Sequence, residues 1–164
     1  MDDLGKALID DVRRRLTGYP AQVRAALEAL DDAQVWQRPH AAANSVGNLV
    51  LHLCGSTRHF LGRGVGGSDY RRDRPAEFAE KGPLPRAELL RTLGDTLAEA
   101  ERVLAAVSPG GLLEVKDCAG EPHTVLALLL RTAHHWGVHA GQIVYAAKAL
   151  KDAPFDDLWR KTMQ

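Results

Sequence analysis

Two histidines four residues apart carry the clearest chemical signal in this sequence. His135 and His139 lie in a stretch with helical periodicity, and residues four apart share one face of an α-helix. Both imidazoles can then reach one metal ion, because zinc takes ring nitrogens at about 2 Å. Gln142 extends the same face and can orient a ligand. The pair indicates a metal site, although such a spacing also arises by coincidence or on a solvated surface.

His52 is the candidate for a third ligand. Other polar residues lie near it on the helical wheel, whereas the leucines and valines lie mostly on another face. Those polar residues are Ser45, Asn48, Ser56 and His59. Spacing alone leaves two interpretations open: the polar face meets water, or it lines a pocket at one end of a helical bundle. His59 can line such a pocket, and a plainly exposed helix position is its alternative.

The sequence excludes several functional classes. The histidine pair lacks the glutamate of the zinc-protease motif, because Trp136-Gly137-Val138 fills the gap between the two histidines. Lys and Arg total 21, as do Asp and Glu, so the net charge is zero. A neutral chain without a basic stripe has little means of neutralising a phosphate backbone, which argues against nucleic-acid binding. No apolar run approaches the roughly 20 residues that cross a bilayer, so no membrane role is expected.

Cysteine usage and the first residues predict a cytoplasmic location. Cys54 and Cys118 are far apart and in no paired motif, which is typical of reduced structural thiols. The start at Met1 is acidic and leads into an amphipathic segment, unlike a targeting peptide.

Four long segments with helical periodicity must position the histidines. They span residues 3–30, 44 or 45 to 61, 85 or 86 to 107, and 123 or 124 to 150. Pro20 should kink or briefly break the first segment, because it lacks an N–H and crowds the preceding turn. The result is a single domain over residues 1–164 with an all-α fold, an antiparallel four-helix bundle or a close variant.

The connections between these segments are less regular. Trp36 to Pro39 and the alanines that follow read as a linker. Residues 62–85 form a long loop between helices two and three, rich in Gly, Pro, Asp and Arg. Loops of that length are often functional or mobile. A short extended piece is expected near Glu114–Cys118 without a convincing sheet, and a tail follows Pro154.

Two separated motifs resemble those of a known superfamily. The run Asn44–Gly55 is similar to the second-helix signature of one branch of the DinB/YfiT-like superfamily. The run His135–Ile143 is similar to its fourth-helix signature, His-x-x-x-His-x-Gly-Gln. Residues 72–74 and 76–80 also resemble the linking loop of that branch, whose function is unassigned. The resemblance covers about residues 10–150.

The resemblance implies a four-helix bundle with up-down-down-up topology, commonly a homodimer. It also implies a metal ion held by three histidines, which carry over to His52, His135 and His139. His134 stands where many relatives have an acidic residue, so its local role differs. Characterised members of the wider superfamily include thiol-dependent S-transferases and a mycothiol-dependent maleylpyruvate isomerase.

The leading functional hypothesis is therefore a metal-dependent enzyme that activates a small thiol or water against an electrophilic small molecule. It would be of the S-transferase, isomerase or hydrolase type, with a low-molecular-weight thiol as a cosubstrate. Zinc, nickel, iron and manganese all suit the ligand set. Asn48, His59 and Gln142 are the expected pocket or supporting residues. The alternatives are a metal- or small-ligand-binding dimer without turnover, and a structural dimer whose histidines have lost the ion.

Overall fold

The structure, a computed structural model, describes residues 2–82 and 84–151. Its α-helices are α1 (Asp2–Ala29), α2 (Asp32–Trp36), α3 (Val46–Thr57), α4 (Arg74–Ala79), α5 (Arg86–Ala106) and α6 (Val125–Leu150). A π-helical segment, Arg58–Val65, continues α3. A 3₁₀ helix, Pro109–Leu113, and the strands β1 (Val115–Cys118) and β2 (Glu121–Thr124) precede α6. No described helix is long and apolar enough to cross a membrane. The tail expected after Pro154 lies outside the described residues.

Helices α1 and α5 run in opposite directions. In the first half of α1, Arg13 donates a hydrogen bond of 2.9 Å to the carbonyl oxygen of Leu104, near the end of α5. At the start of α5, Arg86 donates one of 3.2 Å to the carbonyl oxygen of Glu28, near the end of α1. The two contacts can form together only between antiparallel helices.

Helices α3 and α6 are also antiparallel. Gly64, in the π-helical extension of α3, lies against Leu128 near the start of α6. His52, in the middle of α3, lies against His139 farther along α6, with ring centroids 5.0 Å apart. Helix α3 therefore runs antiparallel to α6, the helix that carries the histidine pair.

Helices α3 and α5 run parallel, which completes the topology. Arg58 bonds to Glu99 at 2.9 Å, and one turn earlier on both helices Cys54 and Thr96 share a side-chain hydrogen bond. Together with the two antiparallel pairs, this gives the up-down-down-up order that the resemblance implied. The all-α four-helix bundle is thus the observed fold.

Trp136 lies at the centre of the core. Its side chain is completely buried, and its indole Nε1 donates a 2.9 Å hydrogen bond to Thr57 Oγ1. A buried indole removes a large apolar surface from water, but its single N–H donor then needs a hydrogen-bond acceptor. Thr57 supplies that acceptor. This contact joins α6 to α3, the two helices that carry the histidines.

Helix α1 continues through Pro20, so the structure excludes the break that we expected as an alternative to a kink. It is continuous from Asp2 to Ala29 with Pro20 inside it. Buried residues on both sides of the proline, Val12, Leu16, Val23 and Leu27, pack into one core. Proline costs a helix interior roughly 3 kcal/mol, and the burial of apolar residues on both sides of Pro20 offsets that cost.

The expectation of no convincing sheet was wrong. The extended piece near Val115–Cys118 pairs in antiparallel register with Glu121–Thr124. The two-residue turn between them has positive φ at Ala119 (59°) and Gly120 (92°), as a type I′ hairpin turn requires. Alanine rarely adopts that conformation, so Ala-Gly is a weak hairpin signal in a sequence.

Two short helices lie between the predicted long segments, α2 before the predicted linker and α4 within the predicted long loop. Asp31 caps α2 and forms a capping box with Gln34. Asp73 caps α4, accepting a 3.0 Å hydrogen bond from the N–H of Ala76. Neither helix exceeds six residues, which is too short to show helical periodicity. The long loop between helices two and three is therefore partly helical.

Candidate metal centre

The polar face of α3 is turned into the protein. Ser45, Asn48, His52 and Ser56 are all buried. Ser45 caps the helix by accepting a 3.1 Å hydrogen bond from the N–H of Asn48. Of the two interpretations that the sequence left open, the structure shows the inward-facing one.

His52, His135 and His139 converge from α3 and α6. Their ligand nitrogens all lie within 4.8 Å of one another, and the ring centroids are 4.4 to 5.0 Å apart. Nitrogens that share one ion at about 2 Å lie roughly 3–4 Å apart, so small side-chain rotations close the remaining distance. The three imidazoles can hold one metal ion.

His52 is oriented by a buried ion pair from the long connection between α3 and α5. Its Nδ1 lies 2.8 Å from Glu77 Oε2. Arg72 holds the same carboxylate at both oxygens, with distances of 2.7 Å from Nε to Oε1 and 2.8 Å from Nη2 to Oε2. Only 12% of the Arg72 side chain and 8% of the Glu77 side chain are exposed. A carboxylate behind a ligating histidine is a common support for metal sites.

The ionisation state of Glu77 determines which ring nitrogen of His52 can bind a metal ion. Burial raises the pKa of Glu77, but the hydrogen bonds from Arg72 and His52 outweigh it and leave the pKa lowered. An ionised carboxylate only accepts hydrogen bonds, so His52 Nδ1 must carry the proton. Arg72 Nη2 lies 2.9 Å from His52 Nδ1. Both nitrogens donate to Glu77, so they do not form a hydrogen bond with each other. His52 Nε2 keeps its lone pair for a metal.

The other two imidazoles also present a free Nε2. His139 Nδ1 lies 2.7 Å from Gln142 Oε1, an oxygen that can only accept, so Nδ1 carries the proton. His135 Nε2 is buried without any hydrogen-bond partner. A buried nitrogen without a partner is costly unless something binds it. The donor set therefore fits a metal ion.

The electrostatic environment keeps the pair on α6 neutral. Burial lowers the pKa of His135 to about 3, with further lowering by His139, His52, Arg72 and Arg131. Burial also lowers the pKa of His139, while its hydrogen bond to Gln142 acts in the opposite direction. Neutral imidazoles are the form that ligates metals.

Asn48 supports the site from outside. Its Nδ2 donates to the carbonyl oxygens of Glu77 at 3.0 Å and Glu80 at 2.8 Å. Its Oδ1 accepts a 2.8 Å bond from Arg38. Asn48 is thus placed to fasten the connection that carries Glu77, rather than to line a pocket.

Gly55 makes room for the Glu77 carboxylate. A Cβ on Gly55 would overlap Glu77 Oε1 and come within 2.9 Å of Glu77 Cδ. We expect Gly55→Ala to lower the free energy of unfolding by about 1–3 kcal/mol, measured by urea denaturation, because the buried ion pair must shift. Gly18→Ala is the matched control: its Cβ meets nothing within 4 Å, so stability should rise by about 0.5–1 kcal/mol. Equal effects at both glycines would contradict this account.

The family of the chain follows from a match over nearly its whole length. A family model described as "Protein of unknown function (DUF1572)" matches residues 3–160. The chain belongs to the DUF1572 family. No curated protein matches it.

Solved structures show the same fold for this DUF1572 chain. A DinB-like protein from Bacillus cereus ATCC 10987 superposes with a TM-score of 0.60 at 15% identity, covering 85% of this chain and 91% of that one. A conserved protein from Enterococcus faecalis gives a TM-score of 0.59 at 17% identity, covering 92% and 96%. The DinB-like fold that the sequence resemblance implied is therefore confirmed.

The remaining histidines of the DUF1572 chain lie apart from the triad. His59 is half-buried, with its Nε2 3.7 Å from Cys118 Sγ and its Nδ1 buried without a partner. Burial lowers the pKa of His59, with smaller contributions from Arg72, Arg63 and Arg131. His134 is exposed, and His123 lies 3.4 Å from Glu121.

Sequence reasoning did not assign the partners of His52. Arg72 and Glu77 appeared only as parts of a loop similar to that of the superfamily. They lie 20 and 25 residues from His52 in a segment without periodicity. The only available signal was a charged pair five residues apart in a loop that was expected to be functional or mobile.

Both cysteines of the DUF1572 chain should be unreactive while it is folded. Burial raises the pKa of Cys54 to about 12 from an ordinary 9.0, and burial also raises the pKa of Cys118. The thiolate is the reactive form, so Cys54 should react about 1000-fold more slowly than an ordinary thiol. We expect almost no maleimide labelling of the native protein at pH 8 and two labels per chain after unfolding. One rapidly labelled native thiol, assigned with Cys118→Ser, would contradict this.

Proposed function

We propose that this protein is a metal-dependent enzyme that activates a small thiol or water against an electrophilic small molecule. The observation that carries the proposal is the convergence of three imidazoles whose ligand nitrogens lie within 4.8 Å of one another, with His135 Nε2 buried and without a hydrogen-bond partner. Three protein ligands leave an open position, as in catalytic rather than sealed structural metal sites.

A divalent ion in this position lowers the pKa of water or a thiol toward neutrality and so supplies a nucleophile. The residues of the chain have distinct roles around it. His52 ties α3 to the site, and Glu77 keeps the His52 proton on Nδ1. Gln142 does the same for His139. Among the described residues, none is placed as a general base, so a bound ion would supply the activation.

The proposal is tested by metal content and then by turnover. We expect one divalent ion per chain by elemental analysis after purification in the presence of zinc, nickel, manganese or iron. A panel of electrophiles, assayed with several thiols and without thiol, should give turnover that a strong chelator abolishes. A loaded protein that turns over nothing in the panel would favour the alternative, a metal- or small-ligand-binding helical dimer. A protein that binds no ion would overturn the metal-dependent enzyme and the metal-binding dimer, and would favour a dimer whose histidines have lost the ion.

Removal of the ion should destabilise the fold. A ligand that binds only the native state stabilises it by mass action, by about 2.7 kcal/mol at 100 times its Kd. We expect a lower melting temperature after chelation, measured by differential scanning calorimetry with confirmed metal loss. His52→Ala is the control and should melt equally with and without the chelator. An unchanged melting temperature of the wild-type protein after chelation would count against the metal site.

We also propose that the protein forms a cytoplasmic homodimer. Leu4 on α1 and Leu130 and Val138 on α6 are exposed apolar residues, with 77%, 49% and 45% of their surface accessible. They line one groove between these two helices. Such a surface supports an interface with a second copy, and sedimentation equilibrium measures it directly.

A further inference from the structure

Two arginines close to the histidine triad are held against aromatic rings. The guanidinium carbon of Arg74 lies 5.2 Å from the ring centroid of Phe78, and that ring lies 4.8 Å from the ring of His52. The guanidinium carbon of Arg131 lies 4.2 Å from the ring centroid of Phe60. Stacking on a ring restricts a long side chain and holds its charge in one place.

Arg131 shares a helix face with the pair on α6. It precedes His135 by four residues and so lies one turn away from it on the same side. The Arg131 side chain is therefore placed beside the triad.

Neither arginine is neutralised by the protein. Several arginines of the chain are paired with carboxylates, as Arg72 is with Glu77 and Arg58 with Glu99. Within residues 2–82 and 84–151, no ion pair forms at Arg74 or Arg131. Glu77 is matched by Arg72, so Arg74 and Arg131 add unpaired positive charge beside the triad on a chain whose formal net charge is zero.

We propose that the small molecule processed at the triad carries an anionic group, a carboxylate in the simplest case. Arg74 and Arg131 bind this group while the reacting atom occupies the open metal position. Guanidinium groups suit carboxylates because their N–H groups match two oxygens at once. A concentrated positive charge also attracts an anionic ligand from solution. This inference rests on the proposed function and specifies its substrate class.

The test compares two thiols that differ only in charge. Full-length protein loaded with Co²⁺ is titrated with 3-mercaptopropionate and with its amide, and the visible absorption of the ion reports binding of sulfur. The ratio of the two dissociation constants is then measured for the wild type and for Arg74→Gln/Arg131→Gln. Intrinsic differences between the thiols cancel when the two proteins are compared. Arg24→Gln, an exposed arginine on α1, is the matched control.

We expect the preference for the carboxylate to fall about 10-fold in the double variant and to stay unchanged in Arg24→Gln. The Co²⁺ content should stay at one per chain in all three proteins. An unchanged ratio in the double variant would overturn the inference and leave the proposed function standing. Failure of Co²⁺ to bind, or a spectrum that changes with neither thiol, would overturn the thiol branch of the proposed function and the inference with it.

Discussion

His52→Ala, His135→Ala and His139→Ala should each lose the metal ion and any activity that depends on it. Each change leaves two imidazoles, and two ligands hold a divalent ion far more weakly than three. The measurement is metal stoichiometry of the purified variants in one buffer. We expect the wild type to bind one ion per chain and the three variants to be close to empty.

The other histidines supply matched controls for this series. His59→Ala, His134→Ala and His123→Ala remove the same side chain from positions outside the triad, and we expect them to retain the ion. A partial loss at His134 is compatible with the site, since it neighbours a ligand and such supporting residues affect affinity 10–100-fold. Full occupancy in His52→Ala, or an empty site in His59→Ala, would show that the third ligand is wrongly assigned.

Glu77→Gln should cost both stability and metal affinity. The change leaves the Arg72 guanidinium buried without a counter-charge, and breaking a buried pair in this way typically costs about 3–5 kcal/mol. It also replaces a carboxylate behind a metal ligand, so we expect a 10–100-fold weaker metal affinity. Urea denaturation measures the first effect, and competition with a chromophoric chelator measures the second.

Two further variants separate these effects. Glu99→Gln breaks the more exposed pair with Arg58, where 39% of the arginine side chain is accessible, so it should cost less than about 1 kcal/mol. In Glu77→Gln/Arg72→Met the unpaired charge is gone, so part of the lost stability should return while the metal affinity stays low. If Glu77→Gln unfolds like the wild type, the pair does not stabilise the fold as described.

The long helices could be predicted because their signals are local. Ser45 before an apolar run marks the start of α3, and Pro85 marks the start of α5. The sequence Ser108-Pro109-Gly110-Gly111 correctly placed the end of α5. Each signal depends on residues within one or two turns, and the structure places the helix ends within a few residues of those positions. The exception is the second helix, which continues beyond Leu61 as the π-helical segment.

The support of the site could not be predicted in the same way. The convergence of the three histidines was implied by two motifs in the right order, and the structure brings these residues together. The bond from His52 to Glu77 depends on the path of a connection without periodicity, where nothing local determines which charged residue turns inward. The polar face of α3 had two equivalent interpretations because a helical wheel shows which residues share a side and not what faces them.

The hydrogen bond from Trp136 to Thr57 bears on the choice of metal. Trp136 directly follows His135, so the bond that locks the indole also sets the rotation of α6 about its own axis. The backbone positions of His135 and His139 are then fixed before a metal ion binds, so binding costs little conformational entropy. The remaining adjustment then falls to the side chains. An ion whose radius or preferred geometry needs more than small imidazole rotations would therefore be disfavoured.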